Sequence, residues 1–134
     1  MSGLARLNRA CGGLLARNGD RPCVELWAFI VGLRRLLEGA RGHVVGISPR
    51  RIATALLKGG APRCYELAVC GRGAFLRNTV HRYVRVLIVR GAAEGRHYVV
   101  RRVNYRWVVT TDGARMMLEL AAQDLERRCG RVLQ

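Results

Sequence analysis

Acidic residues, aromatic residues and long apolar runs are all scarce in this 134-residue chain. Nine Asp and Glu stand against 24 Lys and Arg, and aromatic residues make up 6% of the chain. So few aromatics argue against recognition of single strands, in which successive bases stack on aromatic side chains. The longest apolar run, residues 26–33, is far too short to span a bilayer and instead predicts a buried helix. We therefore expect no membrane-embedded segment.

The sequence also lacks the usual patterns of catalytic and metal sites. It has no C-x-x-C pair, and its three histidines complete no zinc pattern. We find no Ser-His-Asp arrangement, no paired carboxylates and no phosphate loop. Glu66 and His81 could form an acid–base pair, but Glu66 fits a helix surface better. We expect no enzyme activity, no metal and no cofactor.

No signal peptide is expected, because the N-terminus lacks a long apolar core and a cleavage site. A reducing cytoplasm is then the default location. Asn and Gln total only six residues, which hints at a thermophile, whose cytosol tolerates disulfides. The pairing of the five cysteines stays open: Cys11, Cys23, Cys64, Cys70 and Cys129.

What the chain does have is a net charge of +15, concentrated in its middle. Residues 1–45 carry +4, residues 46–111 carry +11, and residues 112–134 are neutral. Such an excess indicates a polyanionic partner, with phosphate polymers ahead of an anionic membrane surface. All basic residues but Lys58 are Arg, whose planar fork suits phosphate and guanine edges. GC-rich codon usage is the favoured explanation for most of the surface arginines.

Apolar periodicity and turn residues predict a mainly α fold with a small β-hairpin. Ser48 and Pro49 are typical of a helix start, as N-cap and first helical residue. Residues 42–46 are expected to be a connection, with a brief extended stretch as the alternative. The predicted helices span residues 4–17, 22–38, about 49–58, 62–70, 74–90 and 112–128, and the predicted strands span 96–102 and 105–111.

This order resembles a winged helix-turn-helix domain of prokaryotic, archaeal-type transcription regulators. Residues 65–68 (Tyr-Glu-Leu-Ala) are similar to the second helix, and 78–84 (Asn-Thr-Val-His-Arg-Tyr-Val) to the recognition helix. Residues 87–91 resemble the end of that helix. Residues 107–113 resemble the last wing strand and its Thr-x-x-Gly entry into a closing helix. The likeness covers residues 48–118, although Leu76 replaces the usual Ser or Thr cap.

The resemblance implies duplex DNA binding, with helix 74–90 in the major groove and wing 96–111 on phosphate or the minor groove. Recognition-helix candidates are Arg77, Asn78, His81, Arg82 and Arg85. Wing candidates are Arg96, Arg101, Arg102, Asn104 and Arg106. Phosphate contacts near helix starts are expected from Arg50, Arg51 and Arg63. A solvated helix face and a charge-protected edge hairpin are the plainer interpretations.

We divide the chain into an N-terminal helical extension (1–45), a winged helix domain (46–118) and a C-terminal helix (112–134). The apolar stripes of the first and last of these predict a homodimer. A nucleoid-associated transcription regulator is the favoured function. The alternatives are an RNA-binding or ribosome-associated protein, a sequence-independent chromatin protein, and a module whose basic face binds an acidic protein.

Overall fold

The computed structural model describes residues 21–58, 76–104 and 106–133 of the chain. Within these ranges it contains four helices and three strands, in the order α1 (Arg21–Glu38), β1 (Val44–Ile47), α2 (Pro49–Lys58), α3 (Arg77–Ala93), β2 (Val99–Val103), β3 (Arg106–Thr110) and α4 (Thr111–Leu133). The predicted fold class, mainly α with a small hairpin, is confirmed. The helices predicted at residues 4–17 and 62–70 lie outside the described residues, as do Arg63 and Glu66.

Helix α1 is the buried helix that its apolar sequence predicts. Phe29 and Leu33 are fully buried, and the helix packs mainly on α2 and α4. Its approach to α2 depends on Gly32, where an added Cβ would lie 2.5 Å from Cγ2 of Ile52. Because apolar residues surround much of α1, two neighbouring helices are needed to cover it.

The apolar stripes that predicted a dimer are covered inside the chain. Ala114, Met117, Ala121 and Leu125 on α4 are buried in the same core as the apolar residues of α1. Packing of these two helices on each other removes the exposed apolar surface on which the dimer prediction rested. Met117 is among the largest of these residues, and its side chain is fully buried.

The sheet has three antiparallel strands in the order β1-β3-β2, one more strand than the hairpin predicted from sequence. Residues 42–46, predicted as a connection that could be briefly extended, lead into this added strand, and residues 44–47 pair with β3. This strand has four residues, one of them Gly46, and its partner lies some sixty residues further along the chain. A short strand of this kind gains its stability from pairing, so its own sequence shows little of the pattern that identifies a strand.

The hairpin and α4 are joined by close packing around Tyr98. The hydroxyl oxygen of Thr110 accepts a 3.1 Å hydrogen bond from the backbone N–H of Gly113, which caps α4 and confirms the expected Thr-x-x-Gly entry. A Cβ at Gly113 would lie 2.7 Å from Cβ of Tyr98, and one at Gly91 would lie 2.9 Å from Cδ2 of the same ring. Tyr98 is thus held between α3 and α4 as a buried packing residue.

Among the helices that the structure describes, none has the length and apolar content required to cross a bilayer. Cys23, on the first turns of α1, is disulfide-bonded, so at least one of the pairings that the sequence left open is made.

Candidate functional site

A cleft of about 910 Å³ lies between the start of α2, the start of α3 and the tip of the β2–β3 hairpin. We call it the main cleft. Seven residues predicted to bind nucleic acid line it: Arg50, Arg51, Arg77, His81, Arg102, Asn104 and Arg106. None of the described residues that line it is acidic. The fold therefore brings cations from three separate elements to one concave surface.

Helix α2 presents Arg50 and Arg51 because its start is fixed by a cap. The Ser48 hydroxyl oxygen accepts a 3.1 Å hydrogen bond from the backbone N–H of Arg51, and Pro49 is the first helical residue, as predicted. Ile52 and Ala53 face the core, which leaves the two arginines exposed. Nε of Arg51 also donates to the Gly46 carbonyl oxygen at 3.0 Å, so its guanidinium is directed back toward β1.

Gly46 leaves room for a second guanidinium beside Arg51. A Cβ at Gly46 would lie 2.6 Å from Cδ and 3.2 Å from Nε of Arg106, which crosses this position from β3. Both arginines therefore converge on one glycine. The sequence did not mark Gly46 as part of a site, because only the pairing of β1 with β3 places the two arginines together.

We expect Gly46→Ala to separate binding from stability. The new methyl group must displace the Arg106 side chain, which can swing aside at small cost, so unfolding free energy should change by less than about 1 kcal/mol. Affinity for a polyanion should fall several-fold, because Arg106 leaves the main cleft. Thermal unfolding and fluorescence anisotropy measure the two effects. Gly42→Ala, at a position with no atom within 4 Å of the added methyl group, is the matched control.

The hairpin places Arg102 over an aromatic surface. Arg102 pairs with Trp107 across the two strands, and its guanidinium carbon lies 5.3 Å from the Trp107 ring centroid. This cation–π contact holds a long side chain in one orientation at the cleft. Asn104 follows at the turn with a φ of 54°, a left-handed conformation that Asn tolerates better than most residues.

Helix α3 is held in orientation by polar contacts on its buried side. The Thr79 hydroxyl donates a 2.7 Å hydrogen bond to Oε1 of Glu25 on α1. The Tyr83 hydroxyl donates to Oδ2 of Asp124 on α4, and the Tyr83 ring stacks on Phe29 with centroids 5.3 Å apart. Burial is the main cause that raises the pKa of Tyr83 far above its usual range, and the Asp124 hydrogen bond adds to it. Tyr83 is therefore a packing residue.

With that side buried, the remaining predicted residues of α3 face outward. Arg77 and His81 lie on the edge of α3 that borders the main cleft. Asn78, Arg82 and Arg85 are exposed but do not line it. The helix also begins as the sequence indicated, with Leu76 at the N-cap and no side-chain hydrogen bond there. Leu76 is instead buried, so packing fixes this helix start.

His81 is half-buried among guanidiniums. Burial lowers the pKa of its imidazole below the usual 6.5, and the charges of Arg102, Arg77 and Arg85 lower it further. The lowered pKa favours the neutral imidazole in the free protein. A neutral imidazole offers one donor and one acceptor nitrogen to a ligand.

We expect a bound polyanion to raise the pKa of His81. Phosphates entering the main cleft offset the surrounding guanidiniums and favour the imidazolium. Binding then takes up a proton, so affinity should increase as pH falls through the window between the free and bound pKa values. NMR titration of the His81 ring with and without a DNA duplex measures both values. An unchanged pKa on binding would place the phosphates away from His81, and His81→Ala should remove the pH dependence.

The other predicted wing residues lie outside the main cleft. Arg101 is exposed on the opposite face of the hairpin from Arg102, because it pairs with Val108 and not with Trp107. Nη1 of Arg96 donates a 3.0 Å hydrogen bond to the Tyr98 hydroxyl, which in turn donates to Glu94. Arg96 is thus directed to the base of the hairpin. Arg63 lies outside the described residues.

The acidic residues that form ion pairs neutralise arginines outside the main cleft. The ion pairs found among the described residues are Arg90–Glu94, Arg115–Asp112 and Arg127–Asp124. All three join neighbours within one helix or its end, and none includes a residue of the main cleft. Within the part of the chain that the structure describes, no group of three or more His, Cys, Asp or Glu could hold a metal ion.

Comparison of the chain with protein-family models, with curated proteins and with solved structures finds no match.

Proposed function

We propose that this protein binds duplex DNA through α3 and the main cleft, as a transcription regulator of the winged helix-turn-helix type. The observation that carries the proposal is the main cleft, where five guanidiniums from α2, α3 and the hairpin meet with no acidic residue among the described lining. Unpaired cations held close together repel one another, so a site of this kind is stabilised by a polyanion.

The shapes of the elements favour a duplex. An α-helix with its side chains is about 10–12 Å wide and fits the major groove of B-DNA, which is about 12 Å wide. Asn78, Arg82 and Arg85 on the exposed face of α3 would then meet base edges, where Arg matches guanine and Asn matches adenine. The sugar–phosphate backbone of the DNA strand beside that groove would run through the main cleft, between α3 and the hairpin.

The hairpin would contact the next groove or its phosphates. Arg102, steadied by Trp107, and Asn104 at the turn lie at the end of the hairpin that borders α3. Arginine side chains are favoured in a narrow minor groove because the negative potential is enhanced there. The first turn of α3 carries no acidic residue, so the positive end of its helix dipole is free to attract a phosphate.

A competition experiment tests this proposal. A labelled DNA duplex bound to the protein is titrated with unlabelled duplex DNA or with a structured RNA hairpin at the same salt concentration. We expect DNA to compete better, because the deep and narrow major groove of A-form RNA excludes a helix. Stronger competition by RNA would select the RNA-binding alternative. Equal competition by all DNA sequences would select the sequence-independent chromatin protein, and weak binding of both nucleic acids would favour an acidic protein partner.

Homodimer formation and nucleoid association stay predictions that depend on this proposal. A two-fold dimer would place two α3 helices about 34 Å apart, one turn of DNA. Since α1 and α4 bury their apolar stripes on each other, such a dimer needs a surface other than those stripes. Sedimentation at micromolar concentration shows whether it forms.

A further inference from the structure

A second cleft of about 630 Å³ lies on the other flank of α2, between that helix and the C-terminal end of α1. We call it the second cleft. Four cations line it, namely Arg35, Arg50, Arg51 and Lys58, against one acidic residue, Glu38. Lys58 is the only lysine of the chain, and neither it nor Arg35 belongs to the set predicted from sequence.

The two clefts share a wall. Arg50 and Arg51 line both of them, so the exposed face of α2 forms a ridge between two cationic hollows. Arg50, Thr54 and Lys58 follow one another at intervals of four residues and therefore lie along one face of the helix. All three are exposed, while Ile52 and Leu56 on the other side are buried.

We propose that the second cleft binds phosphates of the same duplex, beyond the segment held by the main cleft. The ridge carries positive charge at both ends of α2, from Arg50 and Arg51 at its start and Lys58 at its end, and the ten residues of that helix span about 15 Å. Base pairs of B-DNA rise about 3.4 Å each, so this length corresponds to roughly four further base pairs. The extension rests on the proposed function, since it presupposes a duplex in the main cleft.

Lys58 and Arg35 also stabilise their own helices, and the experiment must distinguish this effect from phosphate binding. Each lies in the last turn of its helix, where a cation offsets the negative end of the helix dipole. That role changes the stability of the protein, and its effect on affinity would be the same for a short and a long duplex. Duplex length is therefore the variable that distinguishes the two.

The test measures affinity of Lys58→Ala for a short duplex of about one helical turn and a long one of about three turns, at several salt concentrations. On the long duplex we expect a three- to five-fold loss, roughly the value of one phosphate contact, and a salt slope shallower by about 0.9. On the short duplex the variant should bind like the unchanged protein. Lys58→Arg should restore the long-duplex affinity, and its melting temperature should match that of the unchanged protein, because it keeps the cation in the last turn of α2.

The matched control is Arg128→Ala, which removes one exposed positive charge from α4 at a position that lines neither cleft. It should change neither affinity. Equal losses for Lys58→Ala and Arg128→Ala would mean that net charge alone acts, which overturns the second cleft as a site. No loss for Lys58→Ala on the long duplex, while main-cleft variants still weaken binding, would overturn the extension and leave the proposed function standing. If main-cleft variants also bind normally, the proposed function itself fails.

Discussion

The double variant Arg77→Ala/Arg102→Ala should bind duplex DNA about 10- to 25-fold more weakly than the unchanged protein. These two arginines approach the main cleft from α3 and from the hairpin, and both act on the charge state of His81 between them. Each phosphate contact is worth roughly a three- to five-fold change in affinity, so losing two lowers affinity about 10- to 25-fold. Fluorescence anisotropy at fixed salt measures the loss.

The control for this double variant removes the same charge from α4. Arg115→Ala/Arg128→Ala lowers the net charge equally, at two exposed positions outside both clefts. It should weaken binding by a small factor only, through the long-range field. Equal losses in the two double variants would show that overall charge, and not the main cleft, holds the duplex. Both should melt close to the unchanged protein, because exposed substitutions usually change stability by about 0.5 kcal/mol or less.

The largest effect on folding is expected from Phe29→Ala. Phe29 is fully buried at the centre of α1 and stacks on Tyr83 of α3 with an interplanar angle of 18°. Truncation of a buried Phe costs about 3–5 kcal/mol through lost burial and the cavity that remains. Denaturant unfolding followed by circular dichroism measures the change in unfolding free energy.

If Phe29→Ala fails to fold, Phe29→Leu keeps the experiment informative, with an expected cost nearer 1 kcal/mol. The control is Val89→Ala on α3, whose side chain is 66% exposed and should matter by less than about 0.5 kcal/mol. A cost below 1 kcal/mol for Phe29→Ala would mean that α1 does not hold α3 in place. The orientation of α3 would then need another cause.

Local chemistry made part of this fold predictable. Ser48 and Pro49 fixed the start of α2 to the residue, because capping and a fixed φ are properties of those residues alone. The run of Val and Trp in residues 99–110 identified the hairpin for a similar reason. The helix predicted at 74–90 was found at Arg77–Ala93, and the one predicted at 112–128 was found at Thr111–Leu133. The sequence therefore predicted that these helices exist more accurately than it predicted where they end.

The site was less predictable because it depends on pairing between distant strands. The register shift between Val99 and Arg101 decides that Arg102, and not Arg101, shares a face with Trp107. A slip of one residue would exchange the two arginines, and no local pattern reveals such a bulge. The convergence of Arg51 and Arg106 on Gly46 likewise follows only from the β1–β3 pairing.

The dependence of duplex affinity on salt concentration tests the central claim most directly. If the main cleft and the ridge of α2 neutralise about six phosphates, the logarithm of the association constant should fall against the logarithm of salt with a slope of about −5. Arg77→Ala/Arg102→Ala should flatten that slope by about 2. A slope near zero in the unchanged protein, or the same slope in the double variant, would contradict the assignment of this surface to a nucleic-acid backbone.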